Sequence, residues 1–285
     1  MTRRVALLGK PLRRRHSVVM HHAAFAAAGI DAEYVLAEID EADVAGAVLA
    51  ARRPEFLGLG VTAPYKALVA DLVDEVEADA QVIGAVNNVL RTDDGRLIGF
   101  NTDAPGFRVA VELAMGSSLE GIDVVVVGAG GAARAVVNAC LFADVRRLVL
   151  ANRTVEKAGD LLAPLSTSRQ ARREAVGLGD AAFRDALGTA DLVVNATSVG
   201  MIDPGLPFPV DALRDHATVF DLVYVPAETP LVAAARARGL RAANGSEMLI
   251  AQAAIAFERW TGVGGMADVM RAAVAPLLAD PTVLA

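Results

Sequence analysis

Short apolar runs and segments of helical spacing alternate along the chain. Residues 5–8 (Val-Ala-Leu-Leu) have the pattern of a short buried strand. Residues 17–28 carry helical spacing and end at Gly29, which suits a helix C-cap. A second strand is predicted at 32–36, and a helix at 41–52 with Asp40 as its N-cap. A third strand is predicted at 56–61, then a helix at 64–73 with Pro64 in its first turn. Asp93-Asp94-Gly95 is a turn signal between 88–91 and 97–100, which predicts a hairpin. Such strand–helix alternation predicts an α/β fold with a parallel sheet covered by helices.

A second α/β series follows. Residues 122–127 are β-branched around one aspartate, and further strands are predicted at 148–151, 192–195 and 219–223. The helices between them are predicted at 132–142, 155–165 and near 180–187, with 169–174 as a charged, exposed connection. Helices at 247–260 and 267–278 follow the last strand and are expected to pack back on the first domain. There is no low-complexity linker and no internal repeat. The domain boundary is therefore expected inside a helix or short connection near 103–114.

Composition narrows the function classes. Of 285 residues, 54% are hydrophobic and 21% charged, which excludes a disordered chain and gives enough surface to bury a core. A net charge of −7 argues against a general nucleic-acid binder. The one cysteine, Cys140, cannot form an internal disulfide, which fits a reducing cytoplasm. No apolar run approaches the roughly 18–20 residues of a membrane span, and residues 1–17 lack the pattern of a signal peptide. The expectation is a cytoplasmic globular enzyme that binds neither nucleic acid nor membrane.

The most specific local signal is Gly128-Ala129-Gly130-Gly131-Ala132-Ala133, directly after the 122–127 strand. It is G-x-G-x-x-A, the alanine form of the dinucleotide fingerprint. Gly128 would allow the tight turn, Gly130 would leave room for a pyrophosphate, and Ala133 would let the helix sit close to the sheet. The pyrophosphate would meet free N–H groups at the positive end of the helix. At the end of the next strand, where NAD-binding chains carry a carboxylate, this chain has Asn152-Arg153-Thr154. Arg153 and the Thr154 hydroxyl suit a 2′-phosphate, so NADP is predicted over NAD.

A hydride carrier needs a group that moves a proton at the substrate oxygen. Candidates lie before the glycine loop, each after a strand: Lys66 in Val-Thr-Ala-Pro-Tyr-Lys, Asn87 and Asn88, and Asp103 in Asn-Thr-Asp. His16, His21 and His22 lack zinc-site spacing and are read as packing or local polar groups, with no metal.

Read together, these segments resemble the shikimate dehydrogenase family. The resemblance is carried by GKPLRRRHSVVMHHAAF from Gly9, VTAPYK, IGAVNNV, GFNTDAPGF, GAGGAARA, NRT, NATSVGM, DLVYVPAETPL and GSEMLIAQAAIAFERWTG, in that order along nearly the whole chain. It implies two α/β domains with a cleft between them: a substrate domain over 1–104 plus 246–285, and a Rossmann-type NADP domain over 105–245. It implies that Lys66 and Asp103 are a catalytic pair converging on one wall of that cleft. Ser17, Thr62, Asn87, Tyr224 and Gln252 fall on positions that hold a cyclic hydroxy-carboxylate. Gly128, Ala129, Gly130, Gly131, Ala132, Asn152, Arg153, Thr154 and Thr197 fall on cofactor positions, and Leu222, Gly245 and Met248 near the nicotinamide. The implied reaction is reversible NADPH-dependent reduction of 3-dehydroshikimate to shikimate, by a monomer or homodimer.

The chain departs from the family pattern in places. Arg15 stands where the first of two serines is usual, and Val18 stands for a proline. His22 and Gly60 each replace an asparagine, and Ala253 replaces a glycine. Arg15 either grips the substrate carboxylate in place of a hydroxyl or points to solvent, and the first reading allows quinate or an amino-substituted relative as substrate. The rivals are a regulatory cofactor binder without turnover, which has no need of Lys66 and Asp103, and a two-domain dehydrogenase of the methylene-tetrahydrofolate type, which the segments at Asn101 and Gln252 fit less well.

Overall fold

The computed structural model describes residues 2–12, 15–165, 171–202 and 204–279. It divides into two units, Met1–Thr102 with Ile250–Ala285, and Asp103–Leu249.

The first unit opens with β1 (Arg3–Gly9), α1 (His16–Ala27) and β2 (Ala32–Glu38). Gly29 adopts φ +66°, the left-handed turn that stops α1. The predicted 41–52 helix is split into a 3₁₀ turn at Glu41–Asp43 and α2 (Val44–Ala50). The Asp40 side chain does not cap it, because it is paired with Lys10. Then come β3 (Phe56–Val61), α3 (Lys66–Ala70), β4 (Glu75–Val76), α4 (Ala78–Ile83), β5 (Asn88–Arg91) and β6 (Leu97–Phe100). The helix expected at 64–73 is shorter than its pattern. Pro64 lies in a turn ahead of it, closed by the Tyr65 N–H on the Thr62 carbonyl. The sheet order is β2-β1-β3-β5-β6-β4, mixed rather than fully parallel, because the β5–β6 hairpin makes β5 antiparallel to its neighbours.

The second unit holds α5 (Asp103–Met115), β7 (Asp123–Val127), α6 (Gly131–Phe142), β8 (Arg147–Asn152), α7 (Val155–Leu162), β9 (Arg172–Gly177), α8 (Ala181–Thr189), β10 (Leu192–Asn195), β11 (Thr218–Asp221), α9 (Pro230–Ala237) and β12 (Arg241–Asn244). All its strand pairs are parallel, in the order β12-β11-β10-β7-β8-β9, which is the doubly wound arrangement. The charged segment expected as a connection is instead an edge strand. Glu174 in β9 accepts two hydrogen bonds from Arg147, at 2.9 and 3.2 Å, so its charges serve the sheet edge. Arg169, at the start of that prediction, lies outside the described residues.

The last helices are α10 (Ser246–Thr261) and α11 (Ala267–Ala279). From Ile250 onward they belong to the first unit, and α11 packs on α1. Gly58 explains how α10 docks. A Cβ there would lie 2.0 Å from the Val89 carbonyl oxygen and 2.7 Å from the Trp260 indole nitrogen. With hydrogen in its place, the Trp260 indole N–H reaches Val89 O at 3.0 Å. Among the described residues, no helix is long and apolar enough to cross a membrane.

Candidate active site

In the first unit, chain direction brings several predicted residues to one edge of the sheet. Strands β1, β3 and β6 end there, and antiparallel β5 begins there. The loops are tied together by their backbones: Val61 N–H to Asn87 O at 2.8 Å, Thr62 N–H to Leu8 O at 2.9 Å, and Val86 N–H to Lys66 O at 2.9 Å. Lys66 thus opens α3 beside the Asn87 turn. Asn87, Asn88 and Thr102 are buried and share one network. Asn87 Nδ2 donates to Thr102 Oγ1 at 3.1 Å, and its Oδ1 accepts the Thr102 N–H at 2.8 Å. Asn88 Nδ2 bridges both. Thr102 Oγ1 donates in turn to Gln252 Oε1 at 3.3 Å, which joins α10 to the edge. Thr62 and Ser17 are half-buried, and Arg15 is exposed at the start of α1. Arg13 and Arg14 lie outside the described residues.

In the second unit, the glycine loop leaves β7 with Gly128 at φ +108°, a conformation open to glycine. A Cβ at Gly128 would lie 2.8 Å from the Thr197 methyl and 3.0 Å from the Ala196 carbonyl. Gly130 and Gly131 have no heavy atom within 4 Å of where a Cβ would stand, and Ala133 is fully buried. The N-terminus of α6 therefore presents backbone N–H groups beside open space, which fits a pyrophosphate. At the end of β8, Asn152 Nδ2 donates to Thr154 O at 2.8 Å, and Arg153 and Thr154 are exposed. The glycine loop and the end of β10 flank the point where strand order reverses, where such sheets collect ligands. Leu222, Tyr224, Gly245 and Met248 follow β11 and β12 in this unit. A Cβ at Gly245 would lie 2.4 Å from Leu222 O, so these two segments touch through backbone. Asp103 is the first residue of α5, next in the chain to Thr102.

His21 and His22 belong to the packing around Tyr34. His21 is buried and stacked on Tyr34, with 4.4 Å between ring centres and Trp260 alongside. Burial drives its pKa down to about 3, with His22 adding to the effect. His22 Nε2 accepts the Tyr34 backbone N–H at 3.0 Å. Tyr34 also explains Gly60, where a Cβ would lie 2.6 Å from its hydroxyl oxygen. Two departures from the family pattern, His22 and Gly60, are thus packing around one tyrosine. Cys140 is buried, which pushes its thiol up to about 12 and leaves it inert at neutral pH.

A second buried network, in the second unit, has no counterpart among the candidate residues of the sequence. Asp221 and Asn195 end two neighbouring strands and are fully buried, and Thr229 caps α9 beside them. The signal was present as polar residues ending apolar strands.

Three family models match consecutive parts of the chain. The Shikimate dehydrogenase substrate binding domain matches residues 7–89, Shikimate / quinate 5-dehydrogenase matches 111–202, and the Shikimate 5'-dehydrogenase C-terminal domain matches 245–275. The chain is 42% identical over 260 residues to shikimate dehydrogenase (NADP(+)) of Moorella thermoacetica, covering 90% of this chain and 88% of that one. It is similar to the crystal structure of shikimate 5-dehydrogenase from Thermus thermophilus in complex with NADP(H) and shikimate, with a TM-score of 0.82 and 36% identity over 95% of this chain and 99% of that one. It is also similar to quinate dehydrogenase from Corynebacterium glutamicum in complex with NAD, with a TM-score of 0.88 and 34% identity over 97% and 99%. Matching relatives over nine-tenths of its length at this identity, the chain belongs to the shikimate dehydrogenase family.

Proposed function

We propose that the protein is an NADP-dependent shikimate dehydrogenase that interconverts 3-dehydroshikimate and shikimate. The observation that carries this reading is the Asn87–Thr102–Gln252 network, buried at Asn87 and Thr102, at the sheet edge where Lys66 stands. Amides and hydroxyls both donate and accept, so such a network suits a substrate with several ring hydroxyls. Each ring hydroxyl left unpaired would cost about 1–3 kcal/mol, which is how the network selects for them.

NADP, the cofactor named for the Moorella and Thermus relatives, agrees with the loop chemistry here. Gly128, Ala129, Gly130, Gly131 and Ala132 would hold the pyrophosphate, and Asn152, Arg153 and Thr154 the 2′-phosphate. Thr197 would also contact the cofactor, and Leu222, Gly245 and Met248 would border the nicotinamide, which supplies or accepts the hydride when bound. Lys66 gives a proton to the substrate oxygen during reduction and takes it back during oxidation, with Asp103 as its partner. Ser17, Thr62, Asn87, Tyr224 and Gln252 orient the ring, and the exposed Arg15 pairs with its carboxylate. Since Tyr34 accounts for His22 and Gly60, Arg15 and Val18 carry the question of substrate preference, and quinate is the competing substrate. The enzyme acts on a small molecule in the cytoplasm, as a monomer or a homodimer.

The test is turnover followed by NADPH absorbance. Lys66→Ala is expected to lower kcat by about 10²–10⁴-fold while shikimate still binds. Near-native turnover would remove Lys66 from the mechanism. Comparing shikimate with quinate, each with NADP and NAD, decides the substrate, and faster quinate oxidation would overturn the assignment.

A further inference from the structure

We propose that Asp221 is the positioning residue of the cofactor site, a buried carboxylate that fixes the loops bordering the nicotinamide; this rests on the NADP-dependent reading above. Asp221 ends β11 in register with Asn195, which ends β10. Its Oδ1 accepts from Asn195 Nδ2 at 2.9 Å and from the Val223 N–H at 3.0 Å, and its Oδ2 accepts from Thr229 Oγ1 at 2.6 Å. It is fully buried, and these three donors come from three different segments.

Each donor passes the constraint on. Asn195, held at its amide nitrogen, turns its Oδ1 to the Thr197 N–H at 3.0 Å and to the Thr197 hydroxyl at 2.7 Å. Thr197 is the residue whose methyl packs on Gly128, so the chain of contacts ends on the first glycine of the fingerprint. Val223, held by its N–H, follows Leu222, whose carbonyl lies against Gly245. Thr229, held by its hydroxyl proton, accepts the Val232 N–H at 3.2 Å and starts α9. One acceptor-only group therefore sets the loop after β10, the loop after β11 and the start of α9. A charged acceptor can take all three donors at once, whereas a neutral amide at this position would turn its own N–H₂ toward one of them.

The energetics point the same way. Burial raises the carboxyl's pKa even though three hydrogen bonds act to lower it. Ionised Asp221 is thus a net cost to the fold relative to its protonated form, and the return is loop geometry.

The full-length chain and Asp221→Asn are compared by calorimetry with NADP+ alone and by kinetics with NADP+ and shikimate. The expected result is a Kd and KM for NADP+ raised roughly tenfold, with the KM for shikimate within about twofold of wild type. A merely structural role would lower Tm and the active fraction without moving either KM. The destabilised core variant Val274→Ala, in α11 of the first unit, supplies that reference. If Asp221→Asn does not fold, Thr229→Val decides. It is expected to raise the Kd for NADP+ roughly threefold, with Thr229→Ser restoring it. An unchanged Kd for NADP+ in the folded variants, or equal shifts in both KM values, overturns the proposal. A wild-type chain that binds NADP+ without oxidising shikimate overturns the function instead, and the calorimetry still decides Asp221.

Discussion

The two units bury polar groups at the same end of their sheets but by opposite chemistry. In the first, Asn87, Asn88, Thr102 and Gln252 form a neutral network of amides and a hydroxyl, groups that can each donate and accept. In the second, Asp221 accepts only, and its partners Asn195 and Thr229 donate to it. A neutral network can re-pair its protons around a ring of hydroxyls. A charged hub cannot re-pair, so it holds backbone loops in one arrangement. The difference matches the work proposed for each unit: the first recognises a small polar substrate, and the second presents a preformed cradle to a dinucleotide.

The largest expected effect tests whether each unit has its own stability. Trp260→Ala removes a buried indole and its hydrogen bond to Val89 O, so it should cost about 3–5 kcal/mol. Urea unfolding should shift for the first unit and leave the second in place. A single transition that shifts as a whole would mean that the units unfold together. Next comes the mirror image of Asp221→Asn. Asn87→Ala strips the Thr102 N–H of its acceptor, and should cost about 1–3 kcal/mol. The KM for shikimate should rise and that for NADP+ should stay. The reverse split would exchange the roles of the two networks.

A pH effect is expected in the first unit. His21 stays neutral when folded down to about pH 3, whereas its unfolded value is 6.5. The folded state therefore binds fewer protons between those values. Stability is full above pH 6.5 and falls as pH drops toward 3, by at most about 1.4 kcal/mol per pH unit. His21→Phe should flatten that part of the stability–pH curve, measured by urea midpoints. A curve of unchanged slope would show that His21 is not the titrating group.

Legibility in the sequence differed between the units for physical reasons. The second sheet is buried on both faces, so β7, β8, β10 and β11 read as apolar runs and were placed from pattern alone. Its edge strands, β9 and β12, were not. Arg172 and Glu174 read as solvent-facing charge because an edge strand has only one neighbour to satisfy. Thr229-Pro230, a cap followed by proline at the first helical position, is the local mark of α9, whose eight residues are too few to show a period. In the first unit, β4 and α4 are too short to show a period. The site was legible where chemistry is local, as in the glycine loop. Asp221 was not, because its meaning depends on donors from three segments that only folding brings together.

The smallest expected effect on folding falls on the residue that carries cofactor choice. Arg153 is exposed beyond the end of β8, so Arg153→Ala should change stability by no more than about 0.5 kcal/mol. Its function is electrostatic. A guanidinium beside a 2′-phosphate forms a charge-assisted pair that NADH, with a hydroxyl there, cannot form. Losing that pair should raise the KM for NADPH roughly tenfold and leave the KM for NADH within about twofold. Asp221→Asn should instead weaken both cofactors alike, since the loops it holds border the nicotinamide that the two share. The ratio of NADPH to NADH effects thus separates the two ends of one cradle. Equal losses in Arg153→Ala would assign the 2′-phosphate to another cation and leave Arg153 as a solvated charge.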